Sequence, residues 1–223
     1  MIVVKQSLFP VANRWHHQYY YIQTNISVQW NNNLIYDIEQ HAKRSLSLSD
    51  QFLQITRAEQ SAEKEFYEFD LNNTIENSID TQSHFAMSKT ITITFDNDDP
   101  IWLMGNAELM ERMITNLLSN AIKYSGPNTN ITLSSKLTAG FAKLTIADEG
   151  FGIEEHELPF IFNRFRRQRS TEIKGEKGAG LGLNFVKVVV EKHKGTIEIE
   201  STIKTVERHQ GLEQVIIYFL PFH

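Results

Sequence analysis

Three short stretches carry residue types and spacings that can do chemistry. The first is NLLSNAIKYS, residues 116–125. At about 100° per residue, Met110, Met113, Ile114, Leu117, Leu118 and Ala121 fall on one arc of a helix, with Asn116, Asn120 and Lys123 together beside it. An amide oxygen at that edge can ligate Mg²⁺, and an ammonium group there can meet a phosphate. A polar helix flank that hydrogen-bonds a neighbouring loop fits the same pattern. The second stretch is DEGFGI, residues 148–153, where a carboxylate ends an apolar alternation and Gly150 and Gly152 follow. Glycines there let backbone approach a flat ligand, and Asp148 can accept from an amino group. A turn with glycine at positive φ fits as well. The third is KGEKGAGLGL, residues 174–183. Gly178, Gly180 and Gly182 alternate ahead of an apolar run, and a helix beginning there offers free N–H groups and its dipole to an anion. A flexible lid ending in a helix cap gives the same sequence. Leu183 stands where a dinucleotide GxGxxG needs glycine, and no GxxxxGK[ST] P-loop fits.

These stretches need elements to hold them. Residues 1–9 read as the end of a helix stopped by Pro10, and 10–33, with one charge and a run of asparagines, as a long and partly helical connection. From Leu34 the apolar residues Ile38, Ala42, Leu46, Leu53 and Ala58 recur at helical steps, predicting a helix from a cap at Asn31–Asn33 to about residue 62. So long a helix is usually paired or bundled. Beyond it the spacing predicts strands in EFYEFDL, TITITF and PIWLMG, a helix over 72–87 and an amphipathic helix over 106–124. A hairpin turns at Ala139-Gly140, 181–193 form a helix closed by Gly195, and TIEIES and EQVIIYFLP make the last strands. Residues 149–177 lack a period and carry six Arg or Lys, as a functional lid does. Interleaved helices and strands with hairpins predict an α+β chain: a two-layer α/β sandwich whose mixed sheet has helices on one face, preceded by a long helical segment. The expected division is 1–64 and 65–223.

Composition excludes several classes. Formal net charge is −5, which gives no general attraction to nucleic acid or acidic membranes. With no cysteine there is no disulfide, thiolate zinc site or cysteine nucleophile, and the eight histidines show no HExxH spacing. No uncharged apolar run approaches the roughly eighteen residues of a membrane span.

Taken in order, the asparagine-rich helix, the strand ending in DEGFGI, the basic loop and the GAGLGL helix resemble the catalytic ATP-binding domain of sensor histidine kinases, within the superfamily shared with gyrase, Hsp90 and MutL. NLLSNAIKYS is similar to the N box, DEGFGI to the first glycine box, IFNRFRR (161–167) to the F box and GAGLGL to the second glycine box. LSDQFLQITRAEQS resembles the end of the second dimerisation helix, and HKGTIEIES and IIYFLP the closing strands, so the likeness covers 34–221.

The resemblance implies a Bergerat-type ATP-binding fold and ATP and Mg²⁺ as ligands. It places Mg²⁺ on Asn120, and Lys123 and Tyr124 near phosphate and base or ribose. Asp148 would accept from the adenine amino group, with Gly150 and Gly152 giving the ring room. Phe162 and Phe165 would anchor a lid, with Arg167 near the triphosphate. Gly178, Gly180 and Gly182 would hand the phosphates to the helix start, and Ile153 and Leu181 complete the nucleotide contacts. Asn116, Lys123 and Arg167 would serve the reaction. Hydrolytic relatives carry a glutamate where Asn116 stands, and an amide cannot act as a general base. Transfer to a histidine is therefore expected rather than hydrolysis. The two other readings are a non-catalytic ATP-sensing module and a gyrase/Hsp90-type ATPase.

The family's acceptor lies in an H box, a histidine followed by an acidic residue, a basic residue and proline. None of the eight histidines here, His16, His17 and His41 included, has that context. The expectation is that the acceptor lies near or upstream of Met1, in a longer protein that dimerises through the helical segment. That protein would pass phosphate to a response regulator, and this chain would be the cytoplasmic part of a sensor that is anchored in a membrane or free of it. The chain itself is expected to contact neither membrane nor nucleic acid.

Overall fold

The structure, a computed structural model, describes residues 9–60, 65–97, 99–166, 180–202 and 212–219. It opens with one helix, α1 (Phe9–Gln60), with no break at Pro10 and no connection over 10–33. Pro10 falls in the first turn, where its missing N–H has no intrahelical partner to lose. The asparagines taken as caps lie inside the helix, where such a residue costs at most about 0.7 kcal/mol against alanine. Residues 1–50 make one compact unit and 51–223 another. In the first, Leu34, Ile35, Tyr36, Ile38 and Leu46 are exposed; in the second, Ile55 and Ala58 are buried.

The second unit runs β1 (Tyr67–Asp70), α2 (Leu71–Ser88), β2 (Thr92–Asn97), β3 (Trp102–Gly105), α3 (Ala107–Tyr124), β4 (Asn130–Thr138) and β5 (Phe141–Asp148), as the alternations predict. A 3₁₀ turn (Leu158–Phe160), α4 (Gly182–Lys192), β6 (Thr196–Thr202) and β7 (Leu212–Phe219) follow. Five strands form a mixed sheet in the order β2-β4-β5-β7-β6, with β2 parallel to β4 and the rest antiparallel; β1 and β3 pair separately. Ala139 and Gly140, the two residues joining β4 to β5, take φ of 51° and 83°. That is the primed turn whose twist matches a hairpin.

Alternate residues of β4 (Ile131, Leu133, Ser135) are buried and their neighbours Thr132 and Lys136 are not, so one sheet face carries the helices. All six arc residues of α3 are buried there. Phe185, Val186, Val189 and Val190 of α4 join the same core. Both early helices start on the caps their sequences offer. Asp70 accepts from the Asn72 N–H (2.9 Å) and Asn106 from the Leu109 N–H (3.0 Å).

α3 and α4 are locked at one end by His193. Its Nδ1–H donates to Val189 O (2.8 Å), its Nε2 accepts from the Asn106 N–H (3.0 Å), and its ring stacks on Phe66 at 4.9 Å. Accepting at Nε2 requires the neutral ring, and burial pushes its pKa down. Gly195 does not close α4 through a left-handed φ, as expected; Lys194 takes that conformation (φ 56°). Gly195 is needed because a Cβ there would meet Tyr218 O at 2.7 Å.

Candidate functional site

With the start of α3 fixed to the end of α4, the two helices run antiparallel, and the last turns of α3 face the first turn of α4. Asn116 donates from Nδ2 to Arg112 O (2.9 Å), which fixes the amide, and its Oδ1 faces Gly182. A Cβ added to Gly182, the first residue of α4, would lie 3.2 Å from Asn116 Oδ1 and 4.0 Å from Asn120 Nδ2. The two amides and the glycine therefore surround one small space. Among the described residues no side chain caps α4, so its first N–H groups meet no described side-chain acceptor. One turn beyond Asn120, Lys123 Nζ lies 3.3 Å from the Tyr124 hydroxyl and 4.9 Å from the centre of its ring. Asn116, Asn120, Lys123 and Tyr124 are all half-buried, at the border between core and solvent.

A second cluster sits where α3 ends. Asp148 closes β5 and is buried, only 6% exposed. Its Oδ1 accepts from the Gly150 N–H at 2.8 Å. Ser125 forms an isolated antiparallel bridge with Gly150, which carries Asp148 against the end of α3. A Cβ at Gly150 would stand 2.5 Å from Asp148 Oδ1 and 3.1 Å from Tyr124 O, so glycine keeps this corner open to the carboxylate. Burial pushes the Asp148 carboxyl up to about 6; the Gly150 N–H and the nearby Ser125 hydroxyl oppose the shift. The Ser125 Oγ is itself buried without a well-formed hydrogen bond among the described residues. From Asn116 to Ser125 is nine residues, about 14 Å of helical rise. The two clusters thus lie at two points along the same helix, α3.

Beyond Asp148 the chain is pinned at intervals. Gly152 takes a φ of 73°, and buried Ile153 donates its N–H to Ser201 Oγ (2.6 Å). Buried Glu157 receives three hydrogen bonds from Arg166 Nε and Nη2 at 2.9–3.2 Å, and Arg166 lies 5.5 Å over the Phe160 ring. Phe162 is half-buried. The Phe165 ring is exposed, and its N–H donates to Gly180 O (2.9 Å). Gly180 takes a φ of 70° and Leu181 is buried. Arg167 and Gly178 lie outside the described residues.

Sequence reasoning missed Ser125, Glu157 and Lys89. Lys89 Nζ donates to Ile122 O and Lys123 O (2.9 and 3.0 Å), capping the helix that carries the asparagines. Of these only Ser125, the last residue of the asparagine-rich stretch, has a sequence signal within reach.

This arrangement has counterparts. The model for histidine kinase-, DNA gyrase B- and HSP90-like ATPases matches residues 105–222. The chain is 28% identical over 176 residues to the sensor histidine kinase RppB of Synechocystis sp., covering 77% of this chain and 38% of that protein. It is 39% identical over 108 residues to the probable sensor kinase SilS of Salmonella typhimurium, covering 48% and 22%. It therefore spans well under half the length of the curated relatives it matches. Among solved structures, a mycobacterial sensor histidine kinase MprB superposes with a TM-score of 0.58 at 26% identity, over 70% of this chain and 99% of that one. Full-length ShkA in complex with AMPPNP superposes with a TM-score of 0.65 at 20% identity, over 79% and 35%, a likeness of fold alone.

Proposed function

The chain belongs to the family of histidine kinase-, DNA gyrase B- and HSP90-like ATPases, and we propose that it is the ATP-binding catalytic part of a sensor histidine kinase. The observation that carries this reading is the placement of a buried carboxylate beside the end of α3 and of two amides, further back on the same helix, against a helix start that no described side chain caps. An adenine amino group would donate to the Asp148 carboxylate in the corner that Gly150 keeps open. The triphosphate would then run past Tyr124 and Lys123 to the first turn of α4, whose N–H groups and dipole favour an anion. ShkA, by its description, holds AMPPNP, which supports a triphosphate in a site of this fold.

The donor set suits Mg²⁺. Among the described residues no group of three or more His, Cys, Asp or Glu converges. An ion here would take an amide oxygen from Asn120 and its other ligands from phosphate and water, as Mg²⁺ commonly does. When bound, Mg²⁺ would supply charge neutralisation at the phosphates.

Asn116 separates phosphotransfer from hydrolysis. Its Nδ2 is spent on Arg112 O, and an amide takes no proton from water. The acceptor nitrogen of a histidine needs no base in this pocket: its lone pair attacks the γ-phosphorus as the bond to the bridging oxygen breaks and ADP departs, and the other ring nitrogen then gives its proton to the acidic neighbour of the H box or to water. This chain would supply position and positive charge. The exposed apolar residues of α1 support pairing with a second copy in the whole protein. The natural consumer of the phosphohistidine is a response-regulator aspartate. No helix among the described residues is long and apolar enough to cross a membrane.

Calorimetric titration tests the reading. ATP with Mg²⁺ should bind at one site and GTP poorly, since guanine sets a carbonyl against the Asp148 carboxylate. Equal affinity for the two would refute it.

A further inference from the structure

Two side chains near the start of α4 are committed to neither core nor cap. The Asn184 Nδ2 donates to Phe162 O (3.0 Å), and its Oδ1 accepts from Arg164 Nε (3.2 Å). Both ends of the amide are thus spent on the segment that leads into the basic loop. Arg164 also donates from Nη2 to the Glu59 carboxylate in the last turn of α1. At the other end of α4, Lys192 Nζ reaches Glu59 O at 3.4 Å. The Phe165 N–H to Gly180 O bond (2.9 Å) closes the neck of the loop beside them. Arg164 and Glu59 are 41% and 43% exposed, so this pair adds little to stability. A guanidinium held at two of its nitrogens by two partners instead fixes direction, because its planar fork is rigid.

We propose that Asn184 and Arg164 are positioning residues for the phosphate end of the nucleotide site. They hold residues 162–166 in register with the first turn of α4, and Glu59 sets that register from the end of α1. The proposal rests on the reading that phosphates lie between Asn116, Asn120 and the start of α4. It makes the last turn of α1 a point from which displacement reaches the phosphates while leaving the adenine corner at Asp148 alone. Asn184 lies two residues beyond Gly182, whereas Asp148 is held by Gly150 and Ser125 on the far side of the site.

The test compares AMP, ADP and ATP, with Mg²⁺, on the full chain by competition against a fluorescent adenine nucleotide. Asn184→Ala removes two hydrogen bonds and should weaken ATP about threefold to tenfold, leave AMP within about twofold, and place ADP between. Arg164→Lys should weaken ATP in the same direction, since an ammonium group cannot hold both partners in one plane. The double variant should be no weaker than Asn184→Ala, because both changes break one relay. Arg164 is half-exposed, so its variant tests the idea even where Asn184→Ala fails to fold. Equal losses for AMP and ATP, no loss, or additive losses would overturn the proposal. A wild-type chain that binds none of the three would overturn the nucleotide reading and this proposal with it.

Discussion

Asp148→Asn should make the empty chain more stable and the nucleotide site worse. The substitution keeps the shape of the side chain and the oxygen that accepts from the Gly150 N–H. It removes a carboxylate whose burial lifts it from 3.8 to about 6. The native state therefore binds this proton more tightly than the unfolded chain, so stability falls as pH rises from about 4 to 6 and the deficit is complete above that. At about 1.4 kcal/mol per unit, the deficit at neutral pH is at most about 3 kcal/mol. The asparagine avoids it, and its new N–H can donate to the nearby buried Ser125 Oγ. Differential scanning calorimetry at pH 7.5 should show a midpoint roughly 5–10 °C higher, with the gain gone near pH 4. Nucleotide affinity should move the other way. With Asp148 as the proposed acceptor of the adenine amino group, wild-type affinity should fall about tenfold between pH 7.5 and 5, the factor set by a group titrating near 6. Dividing by the affinity of Asp148→Asn at each pH cancels the protonation of the nucleotide itself. A ratio flat across that range, or a variant less stable than wild type at pH 7.5, would refute the reasoning.

Asn120→Ala should abolish the Mg²⁺ dependence of ATP binding and leave the melting temperature of the empty chain within a degree or two, because the side chain lies at the edge of the buried arc; matching titrations with and without EDTA check this. His193→Ala should cost about 2–4 kcal/mol in urea unfolding, from two lost hydrogen bonds and a lost ring contact. In the wild type the histidine's share of stability should fade as pH drops below about 6.5, since the unfolded chain then binds a proton that the depressed native imidazole resists. Arg166→Ala leaves the buried Glu157 carboxylate without its fork, so limited proteolysis between residues 154 and 166 should speed several-fold, and unchanged cleavage would count against an anchoring role.

β4, the hairpin it makes with β5, and α3 are legible because burial of one face imposes its period on the sequence. Asn116, Asn120 and Lys123 could be placed beside the core arc for the same reason. Over residues 10–33 the structure departs from the expectation of a connection, because the chain is helical throughout. There the apolar spacing does not distinguish helix from connection, Pro10 sits in the first turn where proline is tolerated, and Asn31–Asn33, expected to cap a helix start, lie inside the helix. The connections across the site were not legible at all. Glu157 with Arg166, Arg164 with Asn184 and Glu59, and His193 with Asn106 join residues 9 to 105 positions apart. Such pairs depend on how the elements pack, which local pattern does not record. Gly195 shows the same limit: its need comes from Tyr218 on a neighbouring strand.

The central claim is that this site moves a phosphoryl group to a histidine and not to water. The direct measurement incubates the chain with γ-labelled ATP and Mg²⁺, with and without a separate dimerisation segment that carries an H-box histidine. Acid-labile, base-stable label on that segment is predicted, with little phosphate released when the segment is absent. Steady release of phosphate at the same rate in both tubes, with no labelled protein, would contradict it.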